Sequence, residues 1–219
     1  MVTVLYILLI MIHSSVYKKH PWHGISPGPN CPEVVTAFIE IVTTDTVKYE
    51  IDKESGWLKV DRPQIYAVSV PALYGFVPQT LCDDEVAKHC MSKTQKQNIR
   101  GDQDPLDILV LTEKNISNGG VLIQAIPIGG LLMIDKDEAD DKIIAIMKDD
   151  AVYGSITDLN ELNEKQLNRL KHYFLTYKDM PRSNSRTVEI ASVYGKEEAL
   201  EVIRKSVQDY ENRFAANEK

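Results

Sequence analysis

At 219 residues the chain is long enough for one sizeable domain, and its hydrophobic fraction of 43% is ordinary for a globular protein. A net charge of −7 argues against counterion-driven binding of nucleic acid, and three cysteines are too few for a disulfide framework and fit a reducing compartment. No Pro/Gly/Ser-rich linker and no internal repeat divides the sequence.

Residues 1–12, MVTVLYILLIMI, are almost wholly apolar. They are too short for a membrane-spanning helix, which needs about 20 residues. They also lack the basic start and the small-residue cleavage site of a secretory signal. Three readings stand: an atypical targeting segment, an apolar arm packed on the domain or on a partner chain, or an upstream extension with Met11 as the start. Residues 1–19 are therefore set apart as an apolar N-terminal extension, and 20–219 as one domain. No stable membrane insertion is expected. The expected compartment is the cytoplasm, with residues 1–12 leaving an organelle or targeting role open.

Residues 20–33 are rich in Pro and Gly and read as an irregular entry loop. Strands follow at 37–44 and 47–53. In the second, Val47, Tyr49 and Ile51 fall on one face and Lys48, Glu50 and Asp52 on the other. Ser55-Gly56 turns the chain into a returning strand at 58–62. Residues 82–100 are polar, mixed in charge and without clear period, which predicts an inserted surface loop. The apolar run DILVLTE (107–113) and the run after Gly119-Gly120 suggest a hairpin. Further strands are predicted at 131–135, 142–147 and 188–195. Helical spacing of Leu162, Leu167, Leu170 and Phe174 predicts a helix over about 160–178. A second helix follows Gly195, with Leu200, Ile203, Val207, Tyr210 and Phe214 on one stripe. Many short strands with late helices predict a mainly β, α+β fold: a closed antiparallel barrel with two C-terminal helices packed against it.

Two acidic clusters carry the chemistry. In Asp102-Gln103-Asp104-Pro105-Leu106-Asp107, Pro105 favours an extended chain and blocks a helix. Three acids thus crowd the mouth of a strand, where a hard divalent cation relieves their repulsion. A calcium-binding EF-hand loop is excluded, since its glycine position holds Asp107 and a strand runs through its second half. A solvated acidic turn remains the alternative. The second cluster runs from Asp135 to Lys142 between two apolar strands, where plain acidic loops are common. Beside bound metal, Lys48, Arg62, Lys142 and Lys178 could contact phosphoryl oxygens, and Tyr74 and Tyr177 could donate to them. A solvated charged face and core tyrosines are the alternatives.

Five motifs in collinear order, over roughly 37–214, resemble family I soluble inorganic pyrophosphatases of the compact bacterial type. They are YEIDKESG (49–56), VDR (60–62), the D-x-D-P-x-D run at 102–107, the Asp135, Asp140, Lys142 pattern, and the Tyr177-Lys178 pair. The resemblance implies an OB-like barrel that hydrolyses pyrophosphate with several Mg2+ ions per site, Mn2+ being an alternative. It implies Asp102, Asp107, Asp135, Asp140 and Glu50 as metal ligands, with Asp107 bridging two ions, and Glu40 in support. Asp104 would be the general base. Lys48, Arg62, Lys142, Tyr177 and Lys178 would grip phosphate, and Tyr74 would line the pocket and position carboxylates. It further implies a homo-oligomer, a hexamer ahead of a dimer. Three departures stand out: Val70 where the family has a second tyrosine, the 82–100 insertion, which could lid the site, and the apolar 1–12 segment. Two rival functions are a phosphohydrolase acting on a larger phosphate ester and a non-enzymatic OB-like binding module.

Overall fold

The computed structural model describes residues 18–64, 66, 68–178 and 187–214. Of the N-terminal extension only Lys18 and Lys19 fall within it, so the readings of residues 1–12 and of Met11 lie outside the described residues. In chain order the elements are β1 (Val35–Ile41), β2 (Val47–Ile51), β3 (Leu58–Pro63), β4 (Leu73–Phe76), α1 (Asp84–Thr94), β5 (Arg100–Gly101), β6 (Asp107–Leu111), β7 (Val121–Asp135), β8 (Glu138–Ala139) and β9 (Lys142–Met147). A 3-10 turn at Leu159–Glu161 leads into α2 (Glu164–Thr176), then β10 (Val188–Gly195) and α3 (Lys196–Phe214).

β1, β4, β6, β9 and β7 pair in that order, and β7 pairs back to β1, which closes the ring. The 15 residues of β7 make this possible. Its first part pairs with β1, its middle with β9 and its end with β10. The two runs expected on either side of residue 130 are thus one bent strand. Alternate residues of β6 and β9 enter two apolar clusters. Ile108, Val110, Ile143 and Ala145 pack with Val86 of α1 and Ile203 of α3, whereas Leu109, Ile144 and Ile146 pack with Leu170 and Phe174 of α2. Burial on both faces explains why these strands read as continuous apolar runs. No helix among the described residues is long and apolar enough to cross a membrane.

The OB-like barrel with C-terminal helices is as expected, but three details differ. The barrel is not wholly antiparallel: β6 pairs with β9, and β5 with β8, in parallel. The reason is that β7 intervenes between β6 and β9 and runs antiparallel to β9, so the chain re-enters beside β6 in its original direction. The hairpin expected at Gly119-Gly120 does not form, because β7 takes β1 as its partner. Gly120, at φ 76°, donates its N–H to the Ile39 carbonyl at 2.7 Å and swings the chain onto β1. Finally, the stretch expected as a surface loop at 82–100 contains helix α1. Its buried side chains are Val86, Ala87, His89 and Cys90, too few and too small for a visible stripe.

Candidate active site

Strand register assembles the acids. The parallel β6–β9 pairing sets Asp107 opposite Lys142, and the β4–β6 pairing sets Asp107 opposite Phe76, with Tyr74 on the same strand. Asp135 ends β7 and Asp140 precedes β9. Ahead of β6, Gly101 passes so close to Cys82 that a Cβ would lie 2.1 Å from its carbonyl oxygen, which forbids any other residue there. Gln103 then adopts φ 63°, and the Asp104 N–H donates to Asp102 Oδ1 at 2.9 Å. The β2–β3 hairpin supplies Lys48 and Glu50, and the end of α2 supplies Tyr177 and Lys178.

The result is a cleft of about 210 Å³ lined by Glu40, Lys48, Glu50, Tyr74, Asp102, Asp104, Asp107, Asp135, Asp140, Lys142, Tyr177 and Lys178. Of the residues singled out from sequence, only Arg62 is not in its wall. It sits on β3 opposite Lys48, with its guanidinium 2.5 Å from Asp61. Val70 is buried in the apolar cluster with Phe174 and Tyr74, so packing fills the place where a second tyrosine was expected.

Ammonium groups thread the acids. Lys142 contacts both Asp107 and Asp140, and Lys178 lies 2.5 Å from Asp135. Lys48 lies 2.8 Å from Glu50 and 3.3 Å from Asp61. The Tyr74 hydroxyl donates to Asp107 at 2.6 Å. Burial, and after it the Asp140 charge, push the Asp102 carboxyl up to about 9. Burial also raises Asp140, against the pull of Lys142. Burial pushes Glu40 up to about 8, even though the Ile51 N–H donates to it at 2.7 Å. Burial works against the charge of Lys142, but Asp107 and Asp140 hold its ammonium well above the ordinary range. At Asp135 burial is outweighed by Lys178, which holds the carboxyl below its ordinary value. Burial and the Asp107 charge keep the Tyr74 phenol protonated, hence a donor.

Among the described residues no three ligand groups converge on one ready-made point, because lysine ammoniums lie between the carboxylates. The donor set nonetheless fits hard divalent cations. The five acids that the resemblance implies as ligands are all carboxylates, and among the described residues Asp135 Oδ1 is buried without a hydrogen-bond partner. Lys53 and Tyr173 also line the cleft and escaped the sequence reading. Lys53 contacts Asp104 and donates to the Gln103 carbonyl at 3.2 Å. Its place in the YEIDKESG motif was the available signal. Tyr173 stacks on Tyr177 with ring centroids 5.1 Å apart, and gave no signal apart from helical spacing.

A family model described as inorganic pyrophosphatase matches residues 37–211. The chain belongs to the family of soluble inorganic pyrophosphatases. An inorganic pyrophosphatase of Chlamydia trachomatis is 49% identical over 199 residues, covering 89% of this chain and 95% of the relative. Soluble inorganic pyrophosphatase 2 of Chlamydomonas reinhardtii is 36% identical over 196 residues, covering 90% and 91% of the two chains. The crystal structure of an inorganic pyrophosphatase from Thermus thermophilus matches with a TM-score of 0.73 at 29% identity, covering 89% of this chain and 99% of that one. The acidic cleft therefore lies inside the region that the pyrophosphatase family shares.

Proposed function

We propose that this chain hydrolyses inorganic pyrophosphate to two phosphates by direct attack of water on phosphorus. The observation that carries this is a cleft in which carboxylates and lysine ammoniums alternate, in a chain of the pyrophosphatase family. Asp102, Asp107, Asp135, Asp140 and Glu50 would hold several divalent cations, Mg2+ first and Mn2+ as an alternative, with Glu40 in support. Such ions supply charge neutralisation on phosphoryl oxygens and acidify water.

Asp104 is the general base. Its side chain is 52% exposed, more than those of Asp107, Asp135 and Asp140, so it meets water most freely. It accepts one proton as the oxygen attacks phosphorus, and the bridging P–O bond breaks toward the second phosphate. Lys48, Lys142 and Lys178 present ammoniums, and Tyr177 a phenol, to the phosphoryl oxygens. Arg62 joins them by leaving Asp61. Tyr74 orients Asp107 through its hydroxyl. The cleft's small volume, about 210 Å³, favours pyrophosphate over larger phosphate esters. Free cysteines among the described residues support a cytoplasmic setting. The assembly is a homo-oligomer, a hexamer ahead of a dimer, which light scattering on a sizing column would read directly.

The deciding experiment measures phosphate release from pyrophosphate with Mg2+ and then with EDTA, alongside nucleotides and sugar phosphates. Rapid release from pyrophosphate that EDTA abolishes is the expected result. A folded, Mg2+-binding protein that leaves pyrophosphate intact would overturn the proposal.

A further inference from the structure

Helix α1 is capped by the wrong residue. Asp83 stands at its N-cap, yet makes no capping hydrogen bond with its own side chain. The helix N–H groups are taken instead by Asp209 of α3, a residue only 2% exposed. Its carboxylate accepts from the N–H groups of Asp83 at 3.0 Å, Glu85 at 2.9 Å and Val86 at 3.1 Å. An N-cap aspartate normally satisfies these donors itself.

Asp83 is thereby released for another task. Its Oδ1 accepts from the Gln103 side-chain amide at 2.6 Å. The other end of that amide, Oε1, accepts from Arg213 of α3 at 2.8 Å. Gln103 is the residue at φ 63° between Asp102 and Asp104. Its backbone is pinned as well, because its N–H donates to the Cys82 carbonyl at 3.0 Å and the Cys82 N–H donates to the Asp104 carbonyl at 2.9 Å. A left-handed residue without the freedom of glycine needs outside support to stay in place.

The geometry points to Gln103 as a positioning residue for the acid loop, clamped at both ends of its amide by Asp83 and Arg213. α1 and the end of α3 thus aim Asp102 and Asp104 into the cleft without touching substrate. This inference rests on the pyrophosphatase reading of the cleft.

Gln103→Met keeps side-chain length and removes both polar ends. The expected result is a kcat for pyrophosphate about tenfold lower and a Mn2+ dissociation constant, read by electron paramagnetic resonance without substrate, about tenfold higher. The KM for pyrophosphate and the melting temperature should stay near those of the parent chain. Asp83→Ala should move the same two readings, and Asp83→Asn, which keeps the acceptor oxygen, should restore them. Should Gln103→Met fail to fold, the Asp83 pair decides. Parental Mn2+ affinity and kcat in Asp83→Ala, or in a folded Gln103→Met, would overturn the clamp. So would a loss confined to melting temperature. If the parent chain releases no phosphate, the activity reading falls, while the Mn2+ measurement still tests the clamp.

Discussion

Carboxylates in two regions of this molecule, the turn after β9 and the cleft, meet opposite fates. Asp150, in the turn after β9, is 5% exposed. It accepts from the Thr112 hydroxyl at 2.6 Å and from the N–H groups of Glu113, Val152 and Tyr153 at 3.0, 2.9 and 2.8 Å. Burial acts to raise its pKa, but these donors win and hold the carboxyl down at about 2. In the cleft, Asp102 has a backbone N–H from Asp104 and Asp140 has the Lys142 ammonium, and there burial wins. At Asp150, Asp102 and Asp140 the direction of the shift follows the balance of donors against burial.

The contrast can be broken from the cleft side first. Asp104→Asn keeps the shape of the base and removes its proton affinity, so steady-state turnover should drop by about 10² to 10⁴ with the melting temperature unchanged. Parental turnover would remove Asp104 from its role. Asp107→Ala should raise the Mg2+ concentration for half-activation by roughly tenfold or more, seen in a Mg2+ titration of activity. An unaltered titration would count against Asp107 as a ligand.

From the structural side, Asp150→Ala strands four donors. It should cost about 3 kcal/mol in urea unfolding while leaving kcat intact. The gentlest test is acid. Because Asp150 titrates at about 2 when folded, below the ordinary 3.8, its contribution is complete above the ordinary value and is lost as pH falls toward about 2. Asp150→Asn should flatten the fall of the urea midpoint across that window. An equally steep fall in the variant would show that other groups drive acid unfolding.

The first acidic cluster was legible because its spacing is local, and the other site residues were chosen over their alternatives only through the family resemblance. The D-x-D-P-x-D run carries its own turn, proline and strand entry, and all its acids line the cleft. What stayed hidden depended on distant partners. The β6–β9 pairing that sets Asp107 beside Lys142 is parallel because of where β7 runs, which no local pattern records. Helix α1 escaped because it buries too few side chains for a visible stripe, and the acceptor for its first N–H groups, Asp209, lies more than 120 residues along the chain. The glycine pair at 119–120 reads as a hairpin, yet its function is to hand the chain to β1. Lys53 lay in plain sight, but only the fold brings it against Asp104.

β7 has one consequence for how the cleft responds to heat. It is paired along its length with β1, β9, β8 and β10, and ends in Asp135. β1, β8, β9 and β10 cannot peel away without opening this shared strand, and β4 and β6 are held between β1 and β9, so the floor beneath the acids melts with the barrel. Metal affinity should accordingly hold steady on warming and vanish together with the barrel, in a single cooperative step.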